Sequence, residues 1–195
     1  MSKKYELVVD DTITFWGWKL FRIKALISFG SVDAGDLGGY IYTEDNLSQE
    51  GDAWVSGDAK VWGNAEVSGD AKVWGNAEVS GNAEVSGNAK VWGNAKVWGD
   101  VKVWGDAEVS GDAEVWGDAK VSDLEDVIVF KNHWSSGRHF TYTRSNKMWK
   151  VGCFYGTGQE LIDKAYQDND KSGNYYKAYV EFVEKLEALD ELKRS

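Results

Sequence analysis

Hydrophobic and polar positions repeat every six residues from Gly51 to Ser122, in twelve uninterrupted hexads of the general form Gly-(Asp/Asn)-Ala-X-Val-(Ser/Trp). Alanine and valine are two positions apart, so in an extended strand they point to one side and residue X points to the other. The Gly-(Asp/Asn) pair tolerates positive φ and therefore permits a tight corner. The pattern predicts a short strand and a corner in each hexad, closed into coils with Ala and Val inside.

This repeat resembles the hexapeptide-repeat family of left-handed parallel β-helices. The family motif is an aliphatic residue followed four positions later by a small one, as in Val61 to Ala65 and Val67 to Ala71. The resemblance covers the whole repeat and implies three hexads per triangular coil and a left-handed path. The expected fold is mainly β: about four triangular coils, about 19 Å tall at the usual strand spacing, with an N-terminal β cap and a small C-terminal α+β domain.

Residues eighteen apart then stack in neighbouring coils, which makes outer columns predictable. One column should be an alternating charge ladder of Lys60, Glu78, Lys96 and Glu114. The tryptophans that follow the valine of a hexad should stack as well, with Trp74 on Trp92 and Trp98 on Trp116. Because exposed aromatic surface commonly marks a contact with another surface, we expect these tryptophans to meet a second copy or a docked terminal domain. The alternative is a solvated aromatic ladder. The set comprises Trp62, Trp74, Trp92, Trp98, Trp104 and Trp116.

Residues 1–50 form the predicted N-terminal cap. Runs at Lys4–Val9 and Thr12–Phe29 read as strands, separated at Asp10-Asp11 and broken by Trp16-Gly17-Trp18. The glycine-rich passage Gly30–Gly39 could cradle a phosphate, but no strand-to-helix context surrounds it, so a structural turn is favoured.

The passage from Gly39 to Glu50 should be an irregular first part-coil. Ile41 and Leu47 fall six residues apart and in register with the later alanines. The first coil of a solenoid exposes strand edges and an open core, so this passage is expected to act as a cap.

Residues 123–195 lose the period of six and predict a separate domain. A buried strand is expected at Val127–Phe130, and a hairpin at Arg138–Arg144 and Lys147–Phe154 turning about Ser145-Asn146. Thr157 and Glu160 have the spacing of a capping box and should open a helix. The sequence Lys171-Ser172-Gly173-Asn174 should break that helix. The second helix is expected to bury Tyr175, Tyr179, Phe182, Leu186 and Leu189.

Charge points to this last domain as the functional part. The chain has a net charge of −10, yet Val127–Gly158 contains no Asp or Glu. Cations neutralise phosphate and aromatic planes stack on bases, so the stretch suits a nucleotide-like anion or a single-stranded end. The alternative is a hairpin with core aromatics and solvated lysines. The candidate ligand residues are Lys131, His133, Trp134, Arg138, His139, Tyr142, Arg144 and Lys150.

Other features of the sequence narrow the class of protein. No segment predicts a membrane span or a secretory leader, and the global acidity disfavours duplex nucleic acid. The single cysteine, Cys153, is compatible with a reducing compartment and is expected to be a small core residue. The repeat has neither the threonine ladders of ice-binding helices nor the glycine-aspartate nonapeptides of calcium-binding rolls, so no metal or cofactor is expected.

The whole chain resembles uncharacterised hexapeptide-repeat proteins of bacteriophages and prophages, through Leu20–Leu26, Ala34–Gly39, Val151–Phe154 and Gly156-Thr157. That resemblance implies a phage or prophage origin. From the uninterrupted, histidine-free repeat and the acid-free hairpin with its basic and aromatic residues, we expect a non-enzymatic binding protein in the cytoplasm of a bacterial host. The β-helix would be a rigid platform for a trimer or dimer. The C-terminal domain would engage a host protein or a small anionic ligand, as in counter-defence.

Two alternatives stay open. The N-terminal part and the repeat also resemble bacterial hexapeptide proteins classed as acyltransferases. Such enzymes usually rely on a histidine general base, and here both histidines, His133 and His139, lie beyond the repeat. The third reading is a structural component of a virion or scaffold.

Overall fold

The structure is a computed structural model that describes residues 3–194, and the side chains of residues 193 and 194 are not described. The protein is mainly β, with two helices at its C-terminal end. The helices are α1 (Gly158–Asp168) and α2 (Asp170–Arg194), and 3-10 turns occur at Glu44–Asn46 and Leu124–Asp126. The strands are β1 (Tyr5–Phe15), β2 (Trp18–Ala25), β3 (Leu37–Ile41), β4 (Trp54–Val55), β5 (Lys60–Val61), β6 (Glu66–Val67), β7 (Lys72–Val73), β8 (Glu78–Gly81), β9 (Glu84–Val85), β10 (Lys90–Val91), β11 (Lys96–Gly99), β12 (Lys102–Val103), β13 (Glu108–Val109), β14 (Glu114–Gly117), β15 (Lys120–Val121), β16 (Val127–Lys131), β17 (His139–Thr143), β18 (Met148–Val151) and β19 (Phe154–Gly156).

The chain forms a β-solenoid of about five turns, one more than the four expected from the repeat, because residues before Gly51 add a coil: Ile41 of β3 pairs with Val61, and Leu47 pairs with Val67. Its strands make three parallel stacks, β5-β8-β11-β14, β4-β7-β10-β13 and β6-β9-β12-β15. Residues eighteen apart are direct partners, so the predicted column of Lys60, Glu78, Lys96 and Glu114 is confirmed. The interior holds the alanines and valines of the repeat at 0–1% exposure. The fold follows from the small, apolar side of each hexad, which fits only the narrow inside of a coil.

The corners depend on glycine and on an amide ladder. Every glycine that begins a hexad has a positive φ, between +65° and +99°. At one corner Asn64 Nδ2 donates to Asn82 Oδ1 at 3.0 Å, and Asn82 Nδ2 donates to Asp100 Oδ1 at 2.8 Å. An amide can both donate and accept, whereas stacked carboxylates only accept and repel one another. Hydrogen bonding between coils therefore explains the mixture of Asn and Asp at this corner.

The N-terminal cap differs from its prediction in three details. β1 runs through Asp10 and Asp11, with only a shift of register there, and the hairpin turn lies at Trp16-Gly17, both at positive φ. Ile41 pairs with Val61, whereas the prediction placed it in register with the alanines. Leu47 likewise pairs with Val67. Leu47 and Val55 are eight residues apart instead of six, and these two extra residues make the first coil twenty residues long, which places Ile41 and Leu47 on the valine row.

Lys4 closes the open end of the first coil. It is 2% exposed, and its Nζ donates to Gly51 O at 3.2 Å and to Ala53 O at 2.9 Å. Burial lowers the pKa of Lys4 to about 8, although nearby Asp52 and Asp70 act to raise it. The cap thus satisfies carbonyl groups that have no preceding coil.

The C-terminal domain contains a four-stranded antiparallel sheet in the order β16-β17-β18-β19. The second predicted strand of the hairpin ends at Val151, and a turn through Gly152 and Cys153 adds β19. Cys153 is exposed, so its prediction as a core residue is wrong. On β17, Phe140 and Tyr142 are buried, and the alternate residues Thr141 and Thr143 are buried as well. Both faces of this sheet are therefore covered.

The helices cover one face of the sheet. Thr157 and Glu160 form the predicted capping box at the start of α1. The break falls at Asn169 rather than at residues 171–174, and Gly173 lies inside α2, where a Cβ would come within 2.3 Å of the Tyr166 ring. The predicted buried face of α2 is rotated by about one position. The buried side chains of α2 are those of Tyr176, Val180 and Val183, whereas Phe182 is 49% exposed and Leu189 is 56% exposed.

The last coil of the solenoid covers the other face of the sheet. The backbone N–H of Glu114 donates to Thr141 Oγ1 at 3.0 Å, and the N–H of Lys120 donates to Ser145 Oγ at 2.8 Å. Tyr155 Oη donates to Trp116 O at 3.1 Å. These backbone groups have no coil above them, so the C-terminal sheet acts as the second cap. No helix in residues 3–194 is long and apolar enough to cross a membrane.

Candidate functional site

Two of the four predicted lysine and arginine ligands, Arg144 and Lys150, are neutralised by acids from other parts of the chain. Arg144 Nη1 lies 2.7 Å from Asp190 Oδ2 on α2. Lys150 is 5% exposed and points at the last coil, with Nζ 3.7 Å from Glu114 Oε2. The absence of acids from Val127–Gly158 therefore does not produce a continuous basic surface, because the solenoid and α2 supply the counter-charges.

Two of the predicted aromatic ligand residues belong to the domain core. Tyr142 is 3% exposed and its hydroxyl donates to Glu187 Oε1. Burial raises the pKa of Tyr142, and the hydrogen bond to Glu187 raises it further. Trp134 is half-buried and stacks on Tyr175, with ring centroids 4.7 Å apart and planes 10° apart. Neither ring presents an open face of the kind that the prediction of a stacked base requires.

Four predicted residues stay exposed and lie around one turn, residues 132–138, which joins β16 to β17. They are Lys131, His133, Arg138 and His139. Within the described part of the chain, neither Lys131 nor Arg138 forms a salt bridge. The turn is rigidly held: Asn132 Nδ2 donates to Tyr176 Oη at 3.1 Å, and Asn132 Oδ1 accepts from the N–H of Ser135 at 2.9 Å.

A cleft of about 220 Å³ opens between this turn and the junction of the two helices, and we name it the 132–138 cleft. Its polar lining includes the hydroxyl groups of Ser135, Ser136 and Ser172, the guanidinium of Arg138 and the imidazole of His139. Asp168 also faces it. The arrangement offers one cation and several hydroxyl donors to a small anion, with one carboxylate that limits how much negative charge it can accept.

His139 makes the one contact in this cleft that resembles catalytic geometry. Its Nδ1 lies 2.9 Å from Asp112 Oδ2 on the last coil. A carboxylate at Nδ1 fixes the orientation of the imidazole and leaves Nε2 free, which is how a general base is commonly held. The other histidine, His133, instead packs edge-on against Trp134 and Tyr175.

The six predicted tryptophans have different surroundings. Trp62 is 6% exposed and packs against Phe15 of the N-terminal hairpin at 5.2 Å. Trp98 lies 5.0 Å from Trp116, and Lys150 Nζ lies 4.0 Å from the centre of the Trp116 ring. These three rings are covered by the two caps of the same chain. Trp104, at a different corner, is 37% exposed.

Trp74 and Trp92 form the predicted stack, with centroids 5.0 Å apart and planes 5° apart. Beside Trp74 lies a second cleft, of about 270 Å³, which the sequence did not single out and which we name the Trp74 cleft. Its polar lining comes from Ser31, Asp36, Ser56 and Lys72. The only signal in the sequence was a serine, Ser56, at the position where the next two coils carry tryptophan. Comparison of the sequence with models of known protein families and with curated proteins found no match.

Proposed function

We propose that this protein is a non-enzymatic binding protein in which the solenoid is a rigid support and the C-terminal domain engages the partner. Support for the rigid role comes from the hydrogen bonds that join the last coil to the C-terminal sheet at Thr141, Ser145 and Tyr155. A phage-type origin, a place in the cytoplasm of a bacterial host and a role in counter-defence belong to the same proposal, and they rest on the sequence resemblance.

The proposed binding site is the 132–138 cleft, and its ligand is a small anion of the nucleotide type or an anionic group of a host protein. One observation carries this choice: of the eight predicted ligand residues, the four that stay exposed lie together around this turn, and two of them, Arg138 and His139, line the cleft. Arg138 and Lys131 bring positive charge to an otherwise acidic protein, so an anion would be drawn to this end of the domain. The serine hydroxyl groups would complete its hydrogen bonds.

Isothermal titration calorimetry with linear and cyclic adenine and guanine nucleotides tests the site. We expect binding by the wild-type protein, and at least tenfold weaker binding by the Lys131→Ala/Arg138→Ala double variant. Lys147→Ala is the matched control, since Lys147 is an exposed cation of the same domain outside this cleft. The ligand proposal fails if no nucleotide gives heat at millimolar concentration, or if the control weakens binding equally.

A second candidate function, acyl transfer, is favoured by the contact between His139 and Asp112. In that case Nε2 of His139 would accept the proton of an attacking hydroxyl or amine. Acetyl-CoA should then raise the melting temperature of the wild-type protein. Release of free CoA in the presence of hydroxyl or amine acceptors should fall by at least a hundredfold in His139→Gln. An unchanged melting temperature with millimolar acetyl-CoA would remove this candidate.

The platform role requires an oligomer, and we assign its contact to the free edge of the C-terminal sheet rather than to the tryptophans. β16 lies at the edge of that sheet. Asn132 N–H bonds to Arg138 O at 2.8 Å and Arg144 N–H bonds to Asp126 O at 2.9 Å. Because antiparallel bonding alternates, the backbone groups of Val129 and its alternate neighbours point away from the sheet.

A second copy of this chain fits that edge by charge. Antiparallel pairing of two β16 strands about Val129 places Lys131 of one copy opposite Val127 of the other. The exposed carboxylate of Glu125, in the 3-10 turn that precedes β16, would then come near Lys131 of the other copy. Phe182, which is 49% exposed and lies 6.4 Å from Phe130, would be covered by the same contact. Pairing would remove an exposed apolar strand edge.

A further inference from the structure

One outer column of the solenoid is a short aromatic stack that ends in a small residue on either side. Residues 56, 74, 92 and 110 are eighteen apart and therefore lie one above another, as Ser56, Trp74, Trp92 and Ser110. The two indoles are nearly parallel, with planes 5° apart. Each tryptophan thus uses one face on its partner and turns the other toward a serine.

The space over Ser56 is the one that an indole would fill if the stack continued by one coil. This space is the Trp74 cleft, of about 270 Å³, and both Ser56 and Trp74 line it. Trp54, which is 6% exposed, forms the inner wall. A flat ring of moderate size could therefore lie on Trp74 in the way that Trp74 lies on Trp92.

The N-terminal loop adds a polar rim to this cleft. Ser31 and Asp36 approach from the loop, and Lys72 from the solenoid. Lys72 Nζ donates to Ser31 Oγ at 3.1 Å, which fixes the ammonium at the rim. The rim thus combines a fixed cation, a carboxylate and two hydroxyl groups. Its one positive and one negative charge cancel.

We propose that the Trp74 cleft binds a neutral sugar ring, with the apolar face of the ring on the indole of Trp74 and its hydroxyl groups on the polar rim. A pyranose has this division, since its C–H groups form a face and its hydroxyls point outward from the edge. Asp36 can accept from two neighbouring hydroxyls, and Lys72 can donate to a third. A phosphorylated ligand would meet the carboxylate of Asp36 and a protein of net charge −10.

The opposite end of the stack supplies a matched control. Ser110 faces the free side of Trp92 as Ser56 faces that of Trp74, but the N-terminal loop forms a rim only at Ser56. Ser56→Trp should extend the stack and fill the Trp74 cleft with the protein's own indole. Ser110→Trp should extend the stack equally at the other end and leave the cleft open. Tryptophan already occupies equivalent positions in other hexads, so both variants suit the repeat.

Saturation-transfer difference NMR with the methyl β-glycosides of glucose, galactose and N-acetylglucosamine, and with adenine as a planar non-sugar probe, tests the proposal. We expect transfer to at least one glycoside, reduced at least fivefold in Ser56→Trp and unchanged in Ser110→Trp. Asp36→Ala should reduce it similarly without altering the stack, which keeps the test valid if Ser56→Trp does not fold. The proposal is overturned if no glycoside shows transfer, if both tryptophan variants behave alike, or if only adenine binds.

Discussion

The ring centroids of Trp62 and Trp98 lie 6.3 Å apart although their strands are two coils apart. The intervening coil carries Ser80, which is 7% exposed beneath the two rings. A serine at this position lets the indoles above and below lean together. Phe15 contacts Trp62 and Trp116 contacts Trp98, so an aromatic ribbon connects the N-terminal hairpin to the coil that the C-terminal domain covers.

Trp98 is the central link of this ribbon, and its removal should destabilise the whole chain. Trp98→Ala is expected to lower the free energy of unfolding by about 2–4 kcal/mol, through lost burial and lost ring contacts. Trp104→Ala, at a corner where the ring is 37% exposed, should cost less than about 1 kcal/mol. Urea denaturation followed by circular dichroism measures both. Equal costs for the two variants would contradict a special role of the ribbon.

Thr141 should protect backbone amides of the last coil from hydrogen exchange. Thr141→Val keeps the shape of the side chain but removes the acceptor of the Glu114 N–H, so an N–H group at the edge of the coil is left without its partner. We expect faster hydrogen exchange at Glu114 and a stability loss of about 1–3 kcal/mol. The amide of Lys96, which donates to Ala113 O within the solenoid, should exchange more slowly than that of Glu114 in the variant. An unchanged rate at Glu114 would refute the capping role.

Alkaline stability should depend on Tyr142. Its pKa is raised in the folded protein by burial and by the hydrogen bond to Glu187, so the unfolded chain loses this proton first, near pH 10. Stability from this group is therefore complete below pH 10 and is lost as the pH rises above it. Between pH 10 and 11 the free energy of unfolding should fall less in Tyr142→Phe, by about 1 kcal/mol per pH unit. Parallel curves for variant and wild type up to pH 11 would contradict this.

The oligomer proposal makes a separate prediction for the edge of β16. Val129→Lys places a charge at the centre of the proposed strand pairing, and analytical ultracentrifugation should show a dimer for the wild type and a monomer for the variant. Trp104→Arg is the comparison, because it alters the most exposed tryptophan among the six predicted contact residues. If Trp104→Arg dissociates the dimer and Val129→Lys does not, the tryptophan surface is the interface. A monomeric wild type would refute both versions.

The local elements were predictable where one short rule governed them. The period of six predicted the strands of the solenoid, its Ala and Val interior and the stacks of Trp74 on Trp92 and Trp98 on Trp116. Thr157 and Glu160 predicted the start of α1. In each case the deciding contacts lie within a few residues or at a fixed spacing of eighteen, so the sequence contains the geometry directly.

The candidate site was less predictable, because its charges come from distant segments. The basic stretch between Val127 and Gly158 contains no acid, but Asp190 of α2 pairs with Arg144 and Asp112 of the last coil pairs with His139. The prediction of which face of α2 is buried was wrong for a related reason. Helical spacing admits two adjacent apolar stripes, and contact with the sheet selects the one that contains Val180.

The sequence by itself determined the solenoid, since a strict repeat of small and aliphatic residues can bury its apolar side only by coiling on itself. Only the tertiary structure decided which residues remain open to a partner. In the two caps, Trp62, Trp98, Trp116 and Lys150 make contacts within the same chain. The 132–138 cleft, the Trp74 cleft and the edge of β16 stay exposed. The physical reason is that burial and charge neutralisation depend on which surfaces meet in space, and a repeat fixes its own stacking but not what docks against its ends.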